Sequence, residues 1–282
     1  MISSLDNSRV KEVIRLRGSR ERSRTGLLVA EGVREVERAL SAGLLIRSIY
    51  HAPDVLPGWT PAAAQSPSHT RDGGCRRTGP EQTHAAGARF APEAALVHEV
   101  TPRVLAKMAY RSEPEGVIGV FAAPEHALPV APTLVLVAVG IEKPGNLGAM
   151  ARTADAAGAD ALLTSDGRTD PWNPNAIRAS TGAVFSLPLV EVTREDVAAL
   201  PLQRIAAVVG AAQSHTGPDY TRPTAFIVGA EDVGLDDDWR SVADTEVEIP
   251  MRGVTADSLN AGAAAAVLLY EAVRQRAERR VG

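Results

Sequence analysis

Apolar residues fall at two different spacings along this chain. Over residues 8–24, Val10, Val13, Ile14 and Leu16 recur at helical spacing, with basic residues filling the other faces, so an amphipathic helix is predicted. The apolar run Leu27-Leu28-Val29-Ala30 predicts a strand, Gly32–Leu40 an amphipathic helix, and Ile46–His51 the next strand. Residues 57–92 interrupt this αβαβ start. They are rich in Pro, Ser, Thr, Gly and Ala without apolar spacing, as expected of a flexible insertion. Order resumes with Leu96–Val100, a helix around Pro102–Tyr110 and a strand over Gly116–Phe121. Three prolines between Pro124 and Pro132 predict a semi-rigid linker. The chain is therefore divided into 1–123, a linker at 124–132, and 133–282.

From Thr133 the spacing changes. Leu134-Val-Leu-Val-Ala-Val-Gly140 is a continuous apolar run, the mark of a parallel strand covered on both faces. Helices are predicted at 146–157, 173–181, 236–242 and 259–279. Strands are predicted at 161–165, 184–190, 204–210, 225–229 and 246–250. Strands alternating with helices mean an α/β domain with a parallel sheet. Asp257 or Ser258 is the expected N-cap of the last helix, since either side chain can accept a first-turn amide.

Composition narrows the function classes. With 282 residues, 45% of them hydrophobic, the chain can bury the cores of about two domains. A formal charge of −4 argues against indiscriminate binding to nucleic acid. The first helix departs from that average: Arg9, Lys11, Arg15, Arg17, Arg20, Arg22 and Arg24 stand against only Glu12 and Glu21. Such a segment on an acidic chain suggests a phosphate-contacting surface, the alternative being a merely solvated face. Cys75 is the only cysteine, which gives no disulfide framework and fits a cytoplasmic compartment. The six histidines show no metal-ligand spacing, so no metal is expected. No apolar run approaches the roughly 20 residues of a membrane span, and the first residues lack the apolar core of a signal peptide.

Three segments at predicted strand ends carry candidate chemistry. After the strand ending at Gly140 comes Glu142-Lys-Pro-Gly-Asn146-Leu-Gly148-Ala-Met-Ala-Arg152. A helix starting near Asn146 places Gly148, Arg152 and Asp155 on one face, with an arginine fork available for a phosphate. Pairing of Arg152 with Asp155 or Asp160 is the structural alternative. The second segment, Gly229-Ala-Glu231-Asp-Val-Gly234, sets an acidic residue between two glycines that permit close backbone approach; a plain tight turn is the alternative. The third joins Ile249-Pro-Met251 to Ser258-Leu-Asn260 ahead of an Ala-rich helix. None is a G-x-G-x-x-G or P-loop motif, so dinucleotide and ATP binding lack their signatures.

In order and together, these segments resemble the three motifs of the SpoU/TrmH branch of the SPOUT RNA methyltransferases, over residues 133–279. Arg178-Ala-Ser-Thr-Gly-Ala-Val-Phe-Ser-Leu-Pro188 between them is also similar to the family. Leu28-Val-Ala-Glu31-Gly32-Val-Arg34 and Glu115-Gly116-Val-Ile-Gly119-Val resemble a substrate-binding domain with a ribosomal-protein-L30-like fold.

The resemblance implies a trefoil knot in the C-terminal domain, a feature rare enough that sequence logic alone would not propose it. It implies S-adenosyl-L-methionine as cofactor, lined by Gly229, Ile249, Met251, Ser258 and Leu259, and a homodimer in which Arg152 acts across the interface. Catalytic roles carry over to Arg152, Asn146, Glu231, Ser258 and Asn260, and the implied reaction is methylation of a ribose 2′-hydroxyl in structured RNA. A guanidinium keeps its proton at ordinary pH, so Arg152 is expected to orient a phosphate and stabilise a developing alkoxide rather than act as a base. The L30-like domain and basic start favour 23S ribosomal RNA over transfer RNA. Some relatives confer antibiotic resistance by such methylation, a role the reading leaves open. Transfer-RNA or base methylation and a noncatalytic RNA-binding knotted dimer are the alternatives. The loop from Ile249 to Ser258 is about one residue longer than is usual in the family, and Ala261-Gly262 replaces a common Val-Ser.

Overall fold

A computed structural model of the chain describes residues 1–61, 96–167 and 169–279. From residue 62 on, the predicted insertion lies outside the described residues, as does Cys75. Its first residues are attached to the fold: the Trp59 ring lies 5.4 Å from that of His51, whose Nε2 is 2.7 Å from the Leu56 carbonyl. The chain forms two compact units, Met1–Ala123 and Pro124–Gly282.

In the first unit the single helix predicted over 8–24 is two, α1 (Ser8–Arg15) and α2 (Ser19–Thr25). Gly18 adopts an extended conformation between them. The buried Arg22 guanidinium bonds the carbonyls of Leu16 and Arg17, each at 2.7 Å, which a continuous helix would have given to its own amides. Then follow β1 (Leu27–Glu31), α3 (Val33–Ser41), β2 (Ile46–His51), β3 (Val97–Glu99), α4 (Pro102–Met108) and β4 (Val117–Ala122). The sheet order is β1-β4-β2-β3, with β4 antiparallel to both its neighbours. Strand alternation separates two buried faces. Val29, Tyr50, Ile118 and Val120 pack with Val10 and Val13 of α1 and Val104, Leu105 and Met108 of α4. The alternate residues, Leu28 and Ala30 among them, are buried on the other side, and α3 packs on β1 and β4.

The second unit is a seven-stranded sheet, all parallel, in the order β7-β6-β5-β10-β8-β11-β9. Its strands are β5 (Leu134–Val139), β6 (Ala161–Ser165), β7 (Leu189–Glu191), β8 (Gln203–Ala207), β9 (Gln213–Ser214), β10 (Thr224–Val228) and β11 (Thr245–Glu248). Its helices are α5 (Pro144–Ala157), α6 (Pro174–Ala179), α7 (Arg194–Ala198), α8 (Asp237–Val242) and α9 (Ala261–Arg279). The apolar run predicted as a doubly covered strand is β5, buried at every position. The proline-rich stretch expected as a linker packs on this unit: Leu128 joins its core and His126 Nδ1 accepts the Leu189 amide at 3.0 Å.

Two expectations are corrected. The strand predicted at 184–190 is a 3-10 turn, Ala183–Phe185, followed by the short β7. Gly182 at φ +86° turns the chain there, so buried Val184 and Phe185 fill the core from a turn. The last helix is capped neither by Asp257 nor by Ser258. Asn260 Oδ1 accepts the Gly262 and Ala263 amides at 3.0 and 3.4 Å.

The far end of α9 is tied down by Arg276, which donates to the carbonyls of Tyr220 (2.9 Å), Thr133 (2.7 Å) and Arg222 (3.1 Å). Arg276→Ala is expected to lower stability by about 1.5–3 kcal/mol, the range for a hydrogen bond to a charged group, seen as a lower urea midpoint. An unchanged midpoint would show the clamp to be dispensable.

Candidate active site

Along the sheet the chain runs outward from β5 through β6 to β7, whereas β10, next to β5, belongs to the other half with β8 and β11. The order thus reverses between β5 and β10. In open α/β sheets the crevice beyond the carboxyl ends of the strands at such a point is where ligands bind. The loop after β5 enters α5, carrying Asn146 and Arg152; the loop after β10 carries Glu231.

The two loops meet. Asn146 Nδ2 and Asn260 Nδ2 both donate to Glu231 Oε1, and the Ala261 amide approaches the same oxygen at 3.4 Å. Asn260 Nδ2 also donates to Asn146 Oδ1 at 3.1 Å. The other carboxylate oxygen, Oε2, faces Lys143 Nζ at 3.3 Å. Lys143 belongs to the first motif segment, yet its residue type and position gave it no role. It precedes Pro144 at the first position of α5, and that proline marks where the helix begins. Three segments separated by up to 114 residues therefore converge on one half-buried carboxylate.

The glycines explain how the backbones come so close. A Cβ on Gly229 would lie 2.4 Å from both the carbonyl carbon and oxygen of Gly234, so the 229–234 loop closes on itself as a turn, Gly234 itself at φ +67°. A Cβ on Gly148 would lie 2.5 Å from the Ala176 carbonyl and 2.7 Å from Ala179 Cβ; it is the small residue that lets α5 pack against α6.

Arg152 is apart from this cluster. It lies on the exposed side of α5, and among the described residues it makes no hydrogen bond or ion pair. The structural alternative fails for Asp160, whose Oδ2 takes the Thr133 and Leu134 amides at 2.6 and 2.9 Å. Ser258 is exposed two residues before Asn260. Gly229 follows β10, Ile249 and Met251 follow β11, and Leu259 precedes Asn260 ahead of α9; all four are partly exposed, and β10 and β11 flank β8. Among the described residues none hydrogen-bonds the backbone of residues 251–259, which follows β11 beyond the carboxyl ends of the strands.

Of the seven basic residues predicted to meet nucleic acid, Arg22 is removed by its burial against two carbonyls. Arg17 is also engaged, donating Nη2 to the carbonyls of Lys107 and Ala109. Both serve to join helices. Arg24 pairs with Glu21 at 2.7 Å and Lys11 with Asp6 at 2.9 Å, both at the surface. Arg9, Arg15 and Arg20 are exposed.

Among the described residues, no helix is long and apolar enough to cross a membrane, and no cluster of His, Cys, Asp and Glu could hold a metal ion.

Residues 133–270 match the model of the SpoU rRNA Methylase family, and residues 7–119 match the MRM3-like substrate binding domain. A 23S rRNA (uridine(2479)-2′-O)-methyltransferase of Streptomyces viridochromogenes is 31% identical, over 96% of this chain and 91% of that protein. A crystal structure of an RNA 2′-O ribose methyltransferase superposes with a TM-score of 0.76 at 37% identity, covering 98% of this chain and 99% of that one. An AdoMet-bound rRNA methyltransferase from Sinorhizobium meliloti gives 0.78 at 28% identity, with 97% of each chain covered.

Proposed function

The chain belongs to the SpoU rRNA methylase family, and from that premise we propose that it methylates ribose 2′-hydroxyls of 23S ribosomal RNA, with S-adenosyl-L-methionine as donor. The observation that carries the reading is the meeting of Asn146, Asn260 and Lys143 at Glu231, in the crevice where the strand order reverses.

The residues present fit that cofactor. Open backbone groups of residues 251–259 offer donors and acceptors to a nucleoside edge, and the glycines of the 229–234 turn keep its backbone free of side chains at Gly229 and Gly234. Gly229, Ile249, Met251, Ser258 and Leu259 would hold it. When bound, the cofactor supplies an electrophilic methyl carbon on a positively charged sulfur. Glu231 fixes the loops on either side through Asn146 and Asn260, and in-line placement of this kind is where much of such a barrier is removed. Arg152, charged and without an internal partner, grips the phosphate beside the target ribose and stabilises the 2′-oxygen as it forms the new carbon–oxygen bond. The cofactor's sulfur would keep the electrons of its methyl bond and leave as a thioether, and the hydroxyl proton would pass to solvent. Ser258 completes the wall next to Asn260.

The same reading includes a homodimer, a trefoil knot in the second unit and a cytoplasmic location. The first unit serves as an L30-like RNA-binding domain. The exposed, unengaged Arg152 supports action on a site completed by the partner.

Incubation with isotope-labelled cofactor and either ribosomal or transfer RNA tests the proposal. Label is expected in ribosomal RNA, in a dinucleotide linkage that resists alkali, as a 2′-O-methyl group must. Label only in transfer RNA, label in an alkali-sensitive linkage, or tight RNA binding without label would each overturn it.

A further inference from the structure

We propose that the RNA backbone is gripped by the paired helices α1 and α4 of the first unit, through Arg9, Arg15, Arg103 and Lys107, and not by the α3 side; this rests on the RNA-methylating reading above. The basic segment legible in the sequence was residues 8–24 alone, and the fold redistributes it. Arg17 and Arg22 turn inward to bind carbonyls. In their place α4, which carries no acidic residue, contributes Arg103 and Lys107, both exposed.

Helices α1 and α4 pack side by side over the same face of the sheet, with Val10, Val13, Val104, Leu105 and Met108 turned to the core. Their outward positions hold Arg9, Lys11, Arg15, Arg103 and Lys107 against one half-buried acid on the two helices, Glu12; beyond α1, Asp6 pairs with Lys11 at 2.9 Å and Glu21 lies 3.9 Å from Arg15. Arg17 fixes the relation of the two helices by donating to the Lys107 carbonyl at 2.6 Å and to that of Ala109. Lys11 and Arg15 stand one turn apart on α1, as Arg103 and Lys107 do on α4, so cations stand on two helices locked together, an arrangement suited to successive phosphates of an RNA strand. Among the described residues the Arg9 side chain makes no ion pair; with burial as the larger cause, its charge helps hold His98 below the usual histidine range. On α3, by contrast, the exposed Arg34 and Arg38 share the helix with the half-buried Glu37, while Glu35 is buried and pairs with Arg111 at 3.5 Å.

The test uses the full chain and protein-free ribosomal RNA, with affinity measured across a salt series. Each phosphate no longer neutralised should lower the slope of log affinity against log salt by about 0.7–0.9. Arg9→Ala/Arg103→Ala should therefore flatten it by about 1.4–1.8, with cofactor affinity unchanged. Arg9→Lys/Arg103→Lys should keep the original slope, and Arg34→Ala/Arg38→Ala should leave both slope and affinity as they were. An unaltered slope in the first variant, or an equal loss in the α3 variant, overturns the proposal. A parent chain that neither binds nor methylates ribosomal RNA would overturn the methyltransferase reading instead.

Discussion

Arg152→Ala is expected to lower turnover at saturating RNA and cofactor by about 10²–10³-fold, the usual cost of removing one transition-state charge stabiliser, while cofactor affinity stays within about twofold of the parent on the same ground. The expectation rests on where the side chain is. Asn146 and Arg152 lie on one helix, six residues or about 9 Å of axial rise apart. Only Asn146 is tied into the Glu231 cluster. Arg152 is exposed and makes no hydrogen bond or ion pair among the described residues. Its removal breaks no bond of the fold, so a fall in activity reports on substrate and not on stability. Arg152→Lys keeps the charge but not the planar fork, and should recover only part of the rate. If Arg152 serves the partner's site, mixing Arg152→Ala with a Glu231→Ala chain should restore activity neither has alone, because one composite site in the mixed dimer then holds both groups. Near-parent turnover by Arg152→Ala would remove the residue from the mechanism.

The C-terminal fold was legible because its signals are long and redundant. Leu134–Val139 could be nothing but a covered strand, and the strand–helix alternation around it left one architecture. What the sequence concealed lies where a local signal is outweighed by tertiary contacts. The helical spacing from Val10 to Leu16 is real, yet a single buried arginine, Arg22, claims the carbonyls at 16 and 17 and ends the helix. Val184 and Phe185 read as strand from hydrophobicity alone, whereas the left-handed Gly182 makes them a turn. The short α7 does have a local signal in the sequence, a capping box between Thr193 and Asp196. In the site, residue types and order pointed to Asn146, Glu231 and Asn260, but not to their mutual bonds. Nor did spacing reveal Lys143, because an exposed lysine before a proline reads as solvated until the fold brings it 3.3 Å from Glu231. The cap of α9 is misplaced for a related reason. Asp257, Ser258 and Asn260 are equally able caps by chemistry, and only Asn260 is fixed from two sides by Asn146 and Glu231.

Glu231→Ala should have a different signature from Arg152→Ala: loss of cofactor binding together with loss of activity. One oxygen of this carboxylate accepts from Asn146, Asn260 and the Ala261 amide, and the other faces Lys143. Asn260 is at once a partner of Glu231 and the cap of α9, so the Glu231 contact sets where the open backbone of residues 251–259 returns to the helix. Without the carboxylate, Asn146 and Asn260 each lose a charge-assisted bond, worth about 1.5–3 kcal/mol when shielded from water. Part of that loss is made good by solvent, since Glu231 is half-buried. A net loss of even about 1.4 kcal/mol in positioning that loop corresponds to about tenfold in affinity. The expected result is therefore a cofactor Kd raised at least about tenfold by titration calorimetry, with kcat/KM for RNA falling further. Glu231→Gln separates geometry from charge. Its single oxygen can still accept from both asparagines, but its amide must then face Lys143, so cofactor affinity should fall less than in the alanine variant. Parent-like cofactor binding by Glu231→Ala would mean that the three segments are held together by their backbones alone, and that the carboxylate acts only on the RNA.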